Sequence, residues 1–89
     1  MGPEARLEAA CMRLAKRHGW LGIKVYAEPG FPDRMFIGPR RQVVVVEFKA
    51  PRGRVTRKQE QWLEKLRKLR ARCAVIRTVD AFKTALRIK

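Results

Sequence analysis

Apolar residues near the amino terminus recur at the spacing of a helix with one buried stripe. Leu7, Cys11 and Leu14 follow the i, i+4, i+7 pattern. Pro3 suits the first turn of a helix, where its missing amide proton costs nothing. The pattern therefore predicts a first helix over Pro3–His18.

Three segments that follow are rich in β-branched and aromatic residues. Leu21–Ala27 predicts a strand that the Pro- and Gly-containing segment Glu28–Pro32 ends. Arg34–Ile37 and Val43–Lys49 predict two more strands, joined by a turn at Gly38–Arg41. The last of these opens with four consecutive valines, so both of its faces are apolar, which is typical of a central strand covered on two sides.

A capping box followed by helical spacing of apolar residues predicts a second helix over Thr56–Arg72. Thr56 and Gln59 have the S/T-x-x-E/Q spacing of a capping box, in which each side chain bonds the other residue's main-chain N–H. Helical spacing then predicts a buried stripe made of Trp62, Leu66 and Leu69.

The carboxy-terminal segment predicts an apolar strand over Cys73–Val79 and a short helix over Ala81–Ile88. Asp80 is the predicted cap of that helix, with Phe82 and Leu86 facing inward. The complete order is helix, three-strand meander, helix, strand, helix, which is typical of a mixed α/β (α+β) fold. The length of 89 residues fits one domain spanning residues 1–89.

Charge changes the picture, because 22 Lys and Arg residues face only 8 Asp and Glu residues, a net charge of +14. So much charge on so small a chain indicates a polyanionic partner, above all nucleic acid. A hydrophobic content of 46% excludes a disordered basic tail. The small core expected of such a short chain would be helped by a partner subunit.

Cellular location is predicted from what the sequence lacks. No apolar run approaches the ~20 residues that cross a bilayer, and the amino terminus has no signal-peptide pattern. Cys11 and Cys73 form no CxxC pair, which indicates a reducing cytoplasm and no structural zinc. We expect a cytoplasmic protein without a membrane partner.

An acidic residue stands out at the end of the predicted central strand. Glu47 follows the four valines, and period-two alternation places Lys49 on the same face. A buried carboxylate beside an ammonium group costs free energy unless the two pair or bind something. A simple ion pair at a strand end is the structural alternative.

Asp33 strengthens the functional interpretation. If the hairpin turn is centred between Arg40 and Arg41, Asp33 lies opposite Phe48 and within one position of Glu47. Two neighbouring carboxylates repel, and a divalent cation removes the conflict; oxygen ligands favour Mg²⁺ or Mn²⁺. The alternative for Asp33 alone is a turn residue that follows a proline.

Three blocks of the sequence resemble one known family. The blocks are Gly30–Arg34 (G-x-P-D-R), Val46–Pro51 (with E-x-K-A-P) and Gln59–Leu63 (Q-x-x-W-L). Together they resemble the virus-type replication-repair nuclease (VRR-NUC) family, within the PD-(D/E)xK nuclease superfamily. The resemblance implies a restriction-endonuclease-like core, a mixed sheet flanked by helices, and a metal-dependent phosphodiesterase. It also implies a homodimer that cuts branched DNA, as viral and bacterial Holliday-junction resolvases or flap nucleases do.

Roles at the expected active centre follow from this chemistry. Asp33 and Glu47 would ligate Mg²⁺ or Mn²⁺, with the main-chain carbonyl of Phe48 as a neutral ligand. Lys49 would orient or deprotonate the attacking water, or stabilise the charge that grows on the phosphate.

Two further positions carry alternatives. A helical projection places Glu4 nearer the buried stripe than Glu8, which favours Glu4 as an outer ligand or a holder of metal-bound water, although spacing does not decide between them. For Gln59, a capping box predicts only main-chain contacts, whereas the family resemblance implies a hydrogen bond to the metal-bound water, to Lys49 or to the scissile phosphate.

Clustered cations would bind the DNA backbone, without the interleaved aromatic residues of a single-strand binder. A solvated helix face is the alternative for each of them singly. The alternatives for the whole chain are a non-catalytic nucleic-acid-binding module, or a nuclease acting on flaps, nicks or plain duplex. The residues predicted to contact DNA are Arg34, Arg52, Arg54, Arg57, Lys58, Lys65 and Lys68.

Overall fold

The computed structural model describes residues 1–89 as a four-stranded mixed sheet with three helices. The strands lie in the order β1-β2-β3-β4, with two antiparallel pairs followed by the parallel pair β3–β4. This architecture confirms the predicted mixed α/β class. The elements are α1 (Pro3–Arg17), β1 (Leu21–Lys24), β2 (Arg34–Ile37), a 3-10 turn (Pro39–Arg41), β3 (Val43–Phe48), α2 (Arg57–Lys68), β4 (Arg72–Ile76) and α3 (Val79–Leu86).

The first helix forms as its apolar spacing predicts, with Pro3 in the first turn and basic residues in the last. Its buried residues pack with Phe82 and Leu86 of α3 against one face of the sheet. Phe36, Phe48 and Phe82 make edge-on ring contacts within this core. The inward placement of both predicted α3 residues is confirmed.

Strand β3 is central, as the valine run predicts. Val44, Val45 and Val46 are buried, and β3 pairs with β2 on one edge and with β4 on the other. The burial continues through Glu47 to Phe48. The strand therefore carries a carboxylate into the interior at its carboxyl end.

The predicted hairpin register is wrong by one residue. Arg34 pairs with Val46, so continuing the register places Asp33 directly opposite Glu47 rather than opposite Phe48. The reason lies in the turn, which closes with the Gly38 N–H bonded to the Gln42 carbonyl at 2.8 Å. The turn is therefore centred on the residue Arg40, and not on the peptide bond between Arg40 and Arg41 as predicted.

The second helix begins where its capping box predicts but ends earlier, at Lys68. Its deeply buried residue is Leu63, whereas Trp62 and Leu66 are half-buried and Leu69 is 80% exposed. The predicted stripe is therefore wrong at Leu69. This residue caps the helix, and the chain turns away immediately after it, so it never faces the sheet.

The remaining boundaries shift because pairing partners end. β1 ends at Lys24 rather than Ala27, since its partner β2 begins at the residue opposite. β4 covers Arg72–Ile76 rather than Cys73–Val79 because β3 ends opposite Ile76. No helix of the structure has the length and apolar character needed to cross a membrane.

The cap of α3 is Thr78, not Asp80. The Thr78 hydroxyl accepts the main-chain N–H of Ala81 at 3.0 Å, and the helix begins at Val79. Asp80 lies in the first turn, where its charge favours the helix dipole without capping it.

Candidate active site

Two carboxylates from neighbouring strands meet at one end of the hairpin. Asp33 immediately precedes β2, and Glu47, only 3% exposed, lies next to last in β3. Burial is the main cause that raises the pKa of Glu47, to about 7, and the negative charge of neighbouring Asp33 adds to the shift. The negative field of Glu4 acts in the same direction, and Lys49 opposes it. Glu47 therefore keeps its proton up to a higher pH than an ordinary glutamate does.

The two oxygens of Glu47 have different surroundings. Oε2 accepts a hydrogen bond from Nε2 of Gln59 at 3.1 Å and lies 3.8 Å from Nζ of Lys49. Oε1 is buried and has no hydrogen-bond partner. A buried carboxylate oxygen without a partner is costly, and a cation with affinity for oxygen ligands would remove the cost. The donor set thus fits a hard divalent cation.

Gln59 makes the predicted capping contacts and also a contact with Glu47 that the sequence did not predict. Its Oε1 accepts the Thr56 N–H at 2.9 Å, and its own N–H bonds the Thr56 hydroxyl at 3.1 Å. Its Nε2 remains free to reach Glu47. The capping box itself therefore aims an amide at the buried carboxylate.

The two carboxylates of α1, Glu4 and Glu8, have different neighbours. Glu8 binds the Arg34 guanidinium at 2.6 Å, which ties α1 to the start of β2. Glu4 instead lies within electrostatic reach of Glu47. No group of three or more His, Cys, Asp or Glu side chains gathers to form a ready-made metal cluster. Glu4 thus adds to the negative field at Glu47 without completing a triad of carboxylates with Asp33 and Glu47.

One buried carboxylate, Glu47, thus lies beside Asp33, Lys49 and Gln59. A match to a known family covers most of the chain. The family model described as "VRR-NUC domain" matches residues 3–80. The chain belongs to the VRR-NUC domain family. That family is one of nucleases, so the recognition made from the three sequence blocks is confirmed.

Solved structures support the same fold for this VRR-NUC domain. A structure described as "VRR_NUC domain" is 23% identical, with a TM-score of 0.88, and the match covers 98% of this chain and 97% of the other. A second, described as "VRR_NUC domain protein", is 16% identical, with a TM-score of 0.77 and coverage of 98% and 87%. Comparison with curated proteins finds no match.

A clamp that sequence reasoning missed holds the loop carrying Asp33 in the VRR-NUC domain. Trp62, expected only as a core residue, donates its indole N–H to the Pro29 carbonyl at 3.2 Å and packs edge-on against Phe31 at 5.2 Å. Gly30, at φ +88°, lies directly against the main chain of Lys58 in α2. The joint presence of the G-x-P-D-R and Q-x-x-W-L blocks was the available signal for this contact.

A second missed residue is Arg77, just after β4. Its Nη1 donates to the carbonyls of Ala50 at 2.9 Å, Pro51 at 3.3 Å and Gly53 at 2.7 Å. This anchors the segment that follows Lys49. Nothing in the local sequence distinguishes Arg77 from the other basic residues, since its partners lie in another part of the chain.

The predicted DNA-binding cations are mostly exposed, but Arg34 is not among the free ones. Its guanidinium is engaged by Glu8 at 2.6 Å and is therefore not free to bind a phosphate. Lys65 lies 4.9 Å over the Trp62 ring, and Lys68 is 3.6 Å from Glu64. The exposed predicted residues are Arg52, Arg54, Arg57, Lys58, Lys65 and Lys68.

Proposed function

We propose that this VRR-NUC domain is a metal-dependent endodeoxyribonuclease that hydrolyses phosphodiester bonds in branched DNA, with four-way junctions as its substrate. One observation carries the proposal. A buried carboxylate, Glu47, has an oxygen without a partner beside Asp33 and Lys49, in a chain with a net charge of +14. A protein that only binds DNA gains nothing from carboxylates near phosphate.

Asp33 and Glu47 would hold Mg²⁺ or Mn²⁺, with the Phe48 carbonyl as a neutral ligand and Glu4 acting through water. When bound, such an ion lowers the pKa of coordinated water and draws charge from the phosphoryl oxygen. The Phe48 side chain points into the core, so only its main chain is available to the site.

Lys49 and Gln59 supply the remaining chemistry from the chain itself. Lys49 is held with its ammonium group beside Glu47, where it would stabilise negative charge growing on the phosphate or orient the attacking water. Gln59 keeps Oε2 of Glu47 fixed, which leaves Oε1 directed to the site. Both roles depend on the carboxyl end of β3 remaining rigid.

The exposed cations beside the site would bind the DNA backbone without reading bases. Arg52 and Arg54 follow the strand that carries Lys49, and Arg57 and Lys58 open α2. Binding through phosphates releases counterions, so the affinity should fall steeply as salt rises. With two free thiols and no disulfide, we place this activity in the cytoplasm.

We also propose that the domain acts as a homodimer through the face of the sheet that α2 leaves open. Leu21, Ile37 and Val43 form one cross-strand row, exposed by 60%, 38% and 42%, with Ile23 beside them. A second copy of the same apolar face would cover it, and the resulting pair of active centres would suit a substrate with two strands to cut.

The test of the dimer is the solution mass. Leu21→Glu/Ile37→Glu should be monomeric where the wild type is dimeric, while Tyr26→Glu, at a residue 87% exposed outside the row, should behave as the wild type does. A monomeric wild type at micromolar concentration would remove this part of the proposal.

The nuclease itself is tested by cleavage of a four-way junction, a flap, a nicked duplex and a plain duplex. Asp33→Asn, Glu47→Gln and Lys49→Met should each abolish Mg²⁺- or Mn²⁺-dependent cutting while retaining DNA binding. Calorimetric titration with Mn²⁺ should show binding to the wild type and none to Asp33→Asn. Preferential cutting of the flap or duplex would change the proposed substrate, and unimpaired cutting by the variants would refute the site.

A further inference from the structure

A cavity of about 250 Å³ lies between the β1–β2 loop and α2. One wall is the loop that leads to Asp33, and the other is α2, which carries Gln59. Because Gln59 bonds Glu47, α2 covers the face of the sheet to which Glu47 points, and the cavity lies on that same side. Six residues line it: Glu28, Pro29, Lys58, Gln61, Trp62 and Lys65.

Trp62 contributes an aromatic ring to this cavity. Its indole N–H bonds the Pro29 carbonyl at 3.2 Å, and the ring meets Phe31 edge-on at 5.2 Å. The ammonium group of Lys65 lies over the ring, 4.9 Å from its centre, and the Lys65 side chain is exposed to solvent. Holding the loop accounts for the indole N–H, but it does not account for a half-buried ring that lines a cavity.

A nucleobase would replace Lys65 over this ring with a net gain. A base stacked on an aromatic ring is held more strongly than an exposed ammonium group over the same ring. The displaced Lys65 keeps its charge and would then pair with a phosphate. The exchange therefore turns one contact within the protein into two contacts with a nucleotide.

The charges around the cavity suit a nucleotide better than a bare phosphate. Lys58 and Lys65 are about two helical turns apart on α2, on either side of Trp62, where both would attract phosphate. Glu28 enters from the loop, and its carboxylate would repel a phosphate but accept hydrogen bonds from the N–H groups of a base. A site for the DNA backbone alone would gain nothing from Glu28.

The cavity adjoins the active centre without overlapping it. Lys58 precedes Gln59 in α2, and Gly30 packs directly against the main chain of Lys58. Along the loop, Gly30 comes between the cavity residue Pro29 and the proposed metal ligand Asp33. A base enters such a cavity only after it leaves the stack of its duplex, because a paired and stacked base has no free face for a protein ring.

We propose that this cavity binds one unpaired nucleotide of the DNA substrate, with its base stacked on Trp62 and its phosphate held by Lys58 and Lys65. The inference rests on the proposed DNA nuclease function and adds a means of recognising branched DNA. A base at a branch point leaves the stack more readily than a base inside plain duplex. The exposed cations cannot make this distinction, since every DNA carries phosphates. One ring among cations suits one base, not a long bound single strand.

The experiment compares a plain duplex with the same duplex carrying one unpaired guanosine, in EDTA so that neither DNA is cut. Guanine is used because its Watson–Crick edge offers N–H donors to Glu28. The wild type should bind the bulged duplex about tenfold more tightly than the plain one, which corresponds to one base stacked on an aromatic ring. Equal affinity of the wild type for the two DNAs would overturn the inference.

Trp62→Phe and Trp62→Leu are the matched variants. Both lose the hydrogen bond to the Pro29 carbonyl, but only the phenylalanine retains a ring on which a base can stack. Trp62→Phe should keep most of the preference for the bulged duplex, and Trp62→Leu should bind the two DNAs equally. A preference that survives in Trp62→Leu would overturn the inference.

A fluorescent base gives a second measurement that needs no folded variant. The emission of 2-aminopurine at the unpaired position should fall when the wild type saturates the DNA, because stacking quenches it, and should stay constant when the base is placed at a paired position. Unchanged emission at the unpaired position would overturn the inference alone, since metal-dependent cleavage does not require it. A wild type that binds neither DNA would overturn the proposed function as well.

Discussion

The side-chain amide of Gln59 forms hydrogen bonds with both Glu47 and Thr56. Its Nε2 donates to Oε2 of Glu47 at 3.1 Å, and its Oε1 accepts the Thr56 N–H at 2.9 Å. The start of α2 and the buried carboxylate therefore hold each other in position. A displacement of the helix cap would be felt directly at the active site.

Gln59→Glu separates these two contacts. Glutamate at this position completes a capping box as well as glutamine does, but it cannot donate to Glu47. We expect unchanged helix content by circular dichroism and a loss of cleavage activity of about 10- to 100-fold. Thr56→Ala is the control, since it should cost ~1 kcal/mol of stability yet leave Glu47 its donor. A smaller activity loss in Gln59→Glu than in Thr56→Ala would contradict this.

The raised pKa of Glu47 makes the stability of the metal-free protein depend on pH. Between pH 4.5 and about 7 the folded protein retains a proton that the unfolded chain releases. The free energy of unfolding should therefore be highest below that window and fall as pH rises through it. Urea unfolding in EDTA measures this. Glu47→Gln should flatten the dependence, and parallel curves for the two proteins would disprove the assignment to Glu47.

Gly30 should tolerate alanine worse than Gly19 does, although both have positive φ. A Cβ at Gly30 would lie 2.8 Å from Cβ of Lys58, whereas at Gly19 it would meet nothing within 4 Å. Gly19→Ala should cost about 1 kcal/mol for the conformation alone. Gly30→Ala should cost more and also reduce cleavage, because it moves the loop that carries Asp33. Equal stability and activity of the two variants would argue against the clamp.

Arg77→Met should lower both stability and the cleavage rate at saturating DNA. It removes the Arg77 donor from the Gly53 carbonyl and leaves the Ala50 carbonyl only the Gly53 N–H, which costs about 1–3 kcal/mol. Arg52→Met is the matched control, because it removes the same charge at an exposed position of the loop that Arg77 anchors. Partial rescue by Arg77→Lys is expected, and a stability equal to that of Arg52→Met would show that the anchor is unimportant.

Leu63 and Leu69 test which face of α2 is buried. Leu63→Ala should destabilise the fold by about 2–5 kcal/mol, since the residue is fully enclosed. Leu69→Ala should change stability by less than about 0.5 kcal/mol, since the side chain is 80% exposed. Thermal or urea unfolding distinguishes the two, and a reversed order would restore the face predicted from spacing.

Particular elements show how far the pattern of residues leads. Pro3 and the apolar spacing located α1, and Thr56 with Gln59 located the start of α2, because caps and periodicity are local interactions. The ends of strands, which are set by where the partner strand begins or ends, were predicted less accurately. β1 was extended to Ala27, since nothing within that segment shows where its partner strand begins.

The candidate site divides in the same way. Asp33, Glu47 and Lys49 are recognisable from a strand of valines, a preceding proline and two-residue alternation. Asp33 lies directly opposite Glu47 because the turn is centred on Arg40. The register predicted from the sequence was off by one residue and placed Asp33 opposite Phe48 instead. Trp62 and Arg77 could not be assigned, since their partners lie more than twenty residues away.

By itself, the amino-acid sequence determined the mixed fold, the family, and the residue types of a buried acidic site in a basic chain, since these depend on local periodicity, composition and short motifs. The tertiary structure alone decided that Glu4 rather than Glu8 adds to the field at Glu47, that Glu8 neutralises Arg34, and that an oxygen of Glu47 is left without a partner. Those outcomes depend on which distant side chains compete for the same hydrogen bonds, and folding settles that competition in three dimensions.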